Sequence, residues 1–408
     1  KKRFYATSRK LLSSQKHFIE MDFFTECNKC GKCKQLCPSY QIFLNESFSP
    51  RGRIMLIKTL EKQKEIISGE PLKQRIFSCL LCGTCESLCP LDVNVSTLIY
   101  KTRAKMKKNL SLYLFKYFSF YPGVFFSILQ NLSRSKLFLN YEKFSFLNKF
   151  STLNIKPKQT GGLQVYSKLK PIGRIAIFSG CSTNYLLPSI TNSLIYILNW
   201  LNYEVIVPKQ HCCGAPLLSA GFKKETAKLA QKNIEIYKSF NIDGVIAPCP
   251  TCSHFIEDVY KEIIGEGISL LKLSDLFDKS QRNLNEFIKN SLEHKIFFHV
   301  SCHSSNYTKD ADKIMELLQK FGISDIQKKT GCCGFGGLFS FLFEKQSMDI
   351  LQKKVLEYEK ADMIVSSCPN CIIQFKIAMR DKKILHYTEV IHKILLEGEK
   401  NGRKFFKF

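Results

Sequence analysis

The sequence predicts an α/β protein: two tandem cysteine-rich α/β units preceded by an all-α module that also carries cysteines. Three observations predict it. Two cysteine runs in the first hundred residues repeat at a fixed distance, with helical periodicity between and after them. A second, unrelated duplication, of five cysteines, fills the rest of the chain. In both of its copies short β-rich stretches run into the cysteines, and helical patterns separate them. With 408 residues, 45% of them hydrophobic, the chain has enough apolar material for two or three cores.

The first duplication sets CNKCGKCKQLCP (27–38) against CLLCGTCESLCP (79–90), so that cysteines 27, 30, 33 and 37 map onto 79, 82, 85 and 89. The spacing C-x2-C-x2-C-x3-C-P is the cysteine run of bacterial ferredoxins, in which the fourth cysteine ligates the other cluster of a two-cluster module. This assigns Cys27, Cys30, Cys33 and Cys89 to one 4Fe-4S cubane, and Cys79, Cys82, Cys85 and Cys37 to another. Gly31 and Gly83 let the backbone approach inorganic sulfide, and Pro38 and Pro90 turn the chain away. Zinc is the competing ligand for such runs. The insert between the runs is too long for a compact ferredoxin hairpin. RIMLIKTLEKQKEII (53–67) and VNVSTLIYKTRAKMKK (93–108) place apolar residues at helical spacing. An α-helical two-cluster ferredoxin-like module over 1–105 follows.

The second duplication relates Cys181, the Cys212–Cys213 pair and Cys249 with Cys252 to Cys302, the Cys332–Cys333 pair and Cys368 with Cys371, at offsets of 121, 120 and 119. Consecutive cysteines make poor disulfides: their α-carbons lie about 3.8 Å apart, whereas unstrained bridges want roughly 4.4–6.8 Å. A single zinc would close a cramped chelate on them. RIAIFSGC, EVIVPKQHCC and DGVIAPCPTC in the first copy, and KIFFHVSC and ADMIVSSCPNC in the second, read as strands ending at cysteines. AKLAQKNIEIYKSF and SMDILQKKVLEYEKA read as helices between them. Ligands gathered at the carboxyl ends of parallel strands are the usual placement in such sheets. The units are expected at 171–290 and 291–408, after a basic, aromatic-rich connector at 106–170. His211, His254 and His303 flank cysteines and read as hydrogen-bond donors beside a metal group.

The net charge of +26 points to acidic partners or anionic surfaces, or to lysines spread over solvated faces. No RNP-like interleaving of aromatics and lysines points to nucleic acid. KKRFYATSRKLLSSQKHF (1–18) has no apolar core of an export signal. In a reducing compartment eighteen cysteines favour metal over disulfides.

Together these motifs resemble the iron–sulfur subunit of bacterial glycolate oxidase. They are similar also to the iron–sulfur component of anaerobic glycerol-3-phosphate dehydrogenase, whose SPRGRI loop is matched at 49–54, and to lactate-utilisation iron–sulfur proteins. The tandem units resemble the CCG domains of heterodisulfide reductase. That resemblance implies one noncubane 4Fe-4S cluster on Cys181, Cys212, Cys213, Cys249 and Cys252, and a second on Cys302, Cys332, Cys333, Cys368 and Cys371. Structural cysteines or zinc are the alternative. In the glycolate oxidase type the last motif is often incomplete; here it is complete.

No G-x-G-x-x-G follows a strand, GFGGLF (334–339) lacking the third glycine, and no Walker A or Ser-His-Asp set is present. A chain of clusters without a flavin reads as a conduit. The resemblance implies an FAD-containing dehydrogenase subunit as electron donor and a membrane quinone or another acceptor. Residues 107–136 hold a charge-free run, Tyr117 to Ser133, shorter than the roughly 20 residues that span a bilayer and flanked by lysines and Arg134. They fit either a peripheral contact with anionic lipid or a connector packed on the units behind. The expected role is therefore the electron-transfer subunit of a 2-hydroxy-acid dehydrogenase, cytoplasmic or peripheral on the cytoplasmic face of the inner membrane. An enzyme that cleaves a disulfide at a noncubane cluster is the alternative.

Overall fold

A computed structural model of the chain describes residues 27–63, 69–134, 163–167, 170–280, 284 and 295–403. Residues 1–18, read above for an export signal, and Lys136 lie outside the described residues. Up to Arg134 the regular elements among them are helical. Helix α1 (Pro50–Gln63) opens on a proline, whose fixed φ suits a first helical turn. Helix α2 spans Glu70–Phe77, and α3 (Val95–Lys105) is capped by Asn94, whose side chain accepts from the Thr97 amide at 2.8 Å. Ile54 and Ile57 of α1, Ile76 and Phe77 of α2, and Leu98 and Ile99 of α3 share one core. Fully buried, Ile57, Ile76 and Ile99 contribute about 1.5–3 kcal/mol each.

The aromatic stretch folds into two helices. Asn109 caps α4 (Leu110–Phe120) by accepting from the Leu112 amide, and Pro122 starts α5 (Pro122–Arg134) after a break at Tyr121. One side packs inward: Phe126 stacks on Tyr185 at 5.1 Å, and Lys116 pairs with Glu225 at 2.6 Å. The other side stays exposed, with Leu110, Tyr113, Leu114, Tyr117, Tyr121, Val124 and Ile128 outward. Among the described residues no helix is long and apolar enough to cross a membrane.

Two four-stranded sheets follow. The first holds β1 (Gln164–Tyr166), β2 (Arg174–Ile177), β3 (Glu204–Val207) and β4 (Gly244–Ile246) in the order β1-β3-β2-β4. Helix α6 (Pro188–Trp200) links β2 to β3, and α7 (Lys223–Lys238) links β3 to β4. The second holds β5 (Ile296–Val300), β6 (Ile326–Thr330), β7 (Met363–Ser366) and β8 (Lys383–His386) in the order β6-β5-β7-β8. Its helices are α8 (Ala311–Lys320), α9 (Glu344–Val355) and α10 (Tyr387–Arg403). Strand β2 runs parallel to β3 and β4, with Ile175 opposite Val205 and Ala176 opposite Val245. Strand β5 runs parallel to β6 and β7, with Phe297 opposite Gln327 and Ile364.

In each sheet the first strand lies centrally, the second to one side and the third to the other. This is a topological switch point, beyond whose carboxyl ends a crevice opens. An aspartate pins each central strand at its start: the Arg174 amide donates to Asp243 at 2.7 Å, and the Lys295 amide donates to Asp362 at 2.8 Å. The fourth strand differs. β1 lies antiparallel to β3 and comes from within the stretch assigned to the connector, whereas β8 lies parallel to β7. Leu194 and Leu198 of α6 share a core with Ile391 and Leu395 of α10, which joins the two units.

Candidate iron–sulfur sites

All eighteen cysteines are free thiols. The sheets place the ten of the second duplication. Cys181, Cys212–Cys213 and Cys249 follow β2, β3 and β4, and Cys302, Cys332–Cys333 and Cys368 follow β5, β6 and β7. Cys249 and Cys368 precede prolines that start short helices, which carry Cys252 and Cys371 back toward the rim. β6, sequence IQKKT, went unread because its strand is polar; it is an edge strand, where lysines are at home.

Both rims open on one cavity of about 120 Å³, lined by Cys181, Cys213, Cys249 and Cys252 from one side and Cys302, Cys332, Cys333, Cys368 and Cys371 from the other. Such a volume exceeds what a single water needs. Cys212 is buried beside it, in hydrogen-bond partnership with Cys181 and Cys213. Cys213 and Cys252 lie 3.7 Å apart, sulfur to sulfur. Hydrogen bonds from Cys212 and then Cys252 lower Cys213 to about 6, and the Cys302 thiol lowers Cys332 in the same way. Cys302 and Cys371 are held well above the usual thiol range, first by donating to Cys332 and Cys333 respectively and then by burial.

Two narrower cavities lie in the helical module. Cys37 lines one with Cys79, Cys82 and Cys85. Cys89 lines the other with Cys27, Cys30 and Cys33, and Cys85 touches both. The two runs fold alike: Lys29 and Leu81 take positive φ (62° and 56°), as do Gly31 and Gly83 two residues on (84° and 74°). Left-handed Lys and Leu cost about 1–3 kcal/mol, a strain that clusters at functional sites. Backbone amides reach the sulfurs: Val93 donates to Cys89 at 3.5 Å and Gly334 to Cys332 at 3.4 Å. Burial pushes Cys33, Cys37 and Cys85 up, with Arg53 opposing the rise at Cys37. Arg51 holds the first loop through the Lys29 carbonyl and pairs with Glu46, whose carboxyl falls to about 2 through hydrogen bonds from Arg51 and Lys34. Among the described residues no three His, Cys, Asp or Glu side chains converge as for one mononuclear metal ion.

The module is docked on the second unit. Asn306 donates to the Cys82 carbonyl at 2.8 Å, and Tyr307 packs so close to Gly83 that a Cβ there would meet its hydroxyl at 2.6 Å. Leu80 and Leu81 line both the Cys37 cavity and the large one. Of the three flanking histidines only His303 lines a cysteine cavity; its Nδ1 lies 3.6 Å from the Cys302 sulfur, and burial lowers it to about 3, so the ring is neutral. His254 instead stacks on Tyr307 at 3.9 Å and pairs with Asp258, and His211 is exposed. Sequence reasoning missed Arg53 and Arg103, buried beside the Cys37 and Cys79 loops. Their signal was present in the SPRGRI loop and the α3 helix, but burial does not show in a one-dimensional pattern.

A buried, nearly all-thiol donor set at four places suits soft iron–sulfur groups. The family pattern described as a 4Fe-4S dicluster domain matches residues 24–93, and that of a cysteine-rich (CCG) domain matches twice, at 175–257 and 296–376. The chain is thus an iron–sulfur protein that joins a dicluster domain to paired CCG domains. It is similar to the probable glycolate oxidase iron–sulfur subunit of Bacillus subtilis, with 24% identity over 93% of this chain and 94% of the relative. The lactate utilization protein A 2 of Bacillus cereus is 26% identical over 54% of this chain and 98% of its own length. An uncharacterized iron–sulfur protein of Methanococcus maripaludis is 25% identical over 85% of this chain and 66% of its own. Over nearly its whole length the chain is a relative of the glycolate oxidase iron–sulfur subunit family.

Proposed function

We propose that this chain is the electron-transfer subunit of a flavin-dependent 2-hydroxy-acid dehydrogenase, taking electrons from an FAD-containing partner toward a membrane quinone or another acceptor. One observation carries the reading: the cysteine groups form a continuous series. It begins at exposed Cys30, passes Cys85, which is shared by two cavities, and reaches the large cavity through Leu80 and Leu81. In this reading Cys27, Cys30, Cys33 and Cys89 hold one cubane, Cys37, Cys79, Cys82 and Cys85 a second, and each five-cysteine set a noncubane cluster. The bound clusters supply one-electron carriers. The chain's own residues hold them, exclude water from the inner three sites, and fix their order. The units divide at 1–105, 106–170, 171–290 and 291–408.

The exposed face of α4 and α5 supports a peripheral membrane contact. From 93 to 141 the chain has no acidic residue, against eight Lys and Arg, and Tyr and Leu dominate the outward face. Anaerobically purified chain is expected to carry iron and acid-labile sulfide and to lack hydroxy-acid oxidation by itself. It should co-purify with a flavoprotein when that is co-expressed. Replacing Cys30 or Cys82 with Ser should stop electron flow through the complex without changing its flavin content. A stoichiometric flavin on the isolated chain, or undiminished flow in both variants, sinks the proposal.

A second reading draws on the shared cavity. Two five-thiol rims that face one space are placed to flank a substrate, as a disulfide-cleaving enzyme needs. Disulfide reduction by the isolated chain with a reduced dye, abolished by Cys213→Ser, would favour it.

A further inference from the structure

We infer that Arg53 and Arg103 form a buried cationic cradle around the Cys37, Cys79, Cys82 and Cys85 site and make it the more readily reduced of the two cubane sites. This rests on the reading that these cysteines hold a cluster. Both arginines are 1% exposed. Arg53 lines the cavity with all four cysteines and donates to the Arg75 carbonyl (2.7 Å) and to the hydroxyls of Ser39 (2.6 Å) and Ser78 (2.9 Å). Arg103 donates to the carbonyls of Cys79 (2.7 Å), Ile76 (2.9 Å), Phe77 (3.1 Å) and Ser219 (2.7 Å). Every acceptor is neutral, and neither arginine pairs with a carboxylate among the described residues.

A buried charge is costly unless it is both hydrogen-bonded and paired. Carbonyls and hydroxyls satisfy the N–H groups but leave two positive charges uncancelled in the interior. The anionic partner on hand is the four-thiolate set itself, with Arg53 beside Cys37 and Arg103 gripping the Cys79 loop. The other cubane site is arranged differently. Its Arg51 side chain keeps 30% exposure and pairs at 2.9 Å with Glu46, which also takes Lys34 at 2.8 Å. That local charge is cancelled and screened by water, and Cys30 is itself exposed.

A fixed buried cation favours the more negative, reduced form of an adjacent group, more strongly where solvent is absent. An electron entering at Cys30 is therefore drawn inward, toward the site that touches the second CCG unit through Cys82.

The full chain, prepared anaerobically, tests this. Iron and sulfide analysis comes first, since their absence removes the cluster reading itself. Redox titration followed by electron paramagnetic resonance, with signals assigned by Cys30→Ser and Cys82→Ser, then gives each midpoint. The inner site should lie above the outer one in the unmodified chain. Arg53→Met and Arg103→Met should each lower the inner midpoint by a tenfold change in the ratio of reduced to oxidised form, about 59 mV for one electron. The outer midpoint should stay in place, and Arg53→Lys should restore the inner one. If the Met variants do not fold, the ordering in the unmodified chain and the Lys variant decide. An inner midpoint at or below the outer one overturns the inference, as do cluster-bearing Met variants with an unmoved inner midpoint or with both midpoints lowered alike.

Discussion

The two CCG units share their cysteine positions and differ in what stands next to them. Asp243 and Asp362 pin the central strands in the same way. Gly214 and Gly334, each following a cysteine pair, both take positive φ (89° and 82°). Tyr237 and Tyr358 occupy matching places on α7 and beyond α9. Behind the first central strand, however, Tyr237 meets Phe178 and donates to the Ile177 carbonyl at 3.0 Å, whereas Tyr358 meets His299, hydroxyl to Nδ1, at 2.7 Å. Asn233 holds the Cys212 carbonyl in the first unit; at the matching place in the second, Lys354 holds the Thr330 carbonyl at 2.6 Å. After the first cysteine, Tyr185 packs on α5, while Tyr307 packs on the helical module. The thiol rim was thus kept while its surroundings were assigned different work, and the second unit became the polar one that docks the cubane module.

The largest expected effect tests whether the likeness extends to content. Cys213→Ser and Cys333→Ser should each remove about four irons per chain, with matching loss of sulfide. Loss from one variant alone would show that only one rim is loaded.

A backbone substitution comes next. Alanine at either positive-φ glycine costs about 1–2 kcal/mol for conformation. A Cβ on Gly214 would meet the Thr226 methyl at 2.8 Å, whereas one on Gly334 would meet the Ser347 backbone carbonyl at 2.6 Å. A side chain yields where a helix backbone does not, so Gly334→Ala should cost about 3 kcal/mol in urea unfolding and Gly214→Ala about half that. Equal costs would contradict the claimed difference in rigidity.

His299 makes the units differ in pH response. Burial, with Lys354 nearby, lowers it to about 3 from its ordinary 6.5, and its Nε2 has no partner. Above 6.5 the ring is neutral in both folded and unfolded chains, and stability is fully present. As pH falls below 6.5 the unfolded chain takes up a proton that the folded chain refuses, and stability is lost until about pH 3. Each unit of pH well inside that window costs about 1.4 kcal/mol. His303 and His386, also depressed by burial, add to the same slope. Between pH 7 and 5, His299→Phe, which copies the Phe178 arrangement, should therefore lose about 2 kcal/mol less than the unmodified chain. Parallel pH curves would refute the assignment.

What the sequence made legible follows from what periodicity records. Cysteine spacing carried the four groups, and the apolar strands RIAI, EVIV and MIVS announced themselves because parallel strands are covered on both faces. β6 and β1 were invisible: the first is a polar edge, and the second is three residues long. That both rims share one cavity depends on how α6 meets α10, a long-range packing that no local pattern encodes. Arg53 and Arg103 look like ordinary surface cations until the fold closes over them.

The smallest effect concerns the two tyrosines of the matching turns. Tyr307 adds to its packing two long hydrogen bonds, to Ser96 Oγ at 3.2 Å and Glu86 Oε2 at 3.3 Å. Tyr185 works through its ring, stacked on Phe126 with planes 18° apart. Removing only the hydroxyl separates these roles. Tyr307→Phe should cost about 1 kcal/mol, the net worth of ordinary hydrogen bonds, and should speed amide exchange in the Cys79–Cys89 loop. Tyr185→Phe should cost close to nothing and leave that loop unchanged. If Tyr307→Phe also left the loop's exchange unchanged, packing against Gly83 and the Asn306 hydrogen bond to the Cys82 carbonyl would be the whole of the docking contact, and the two turns would differ in where they pack but not in how.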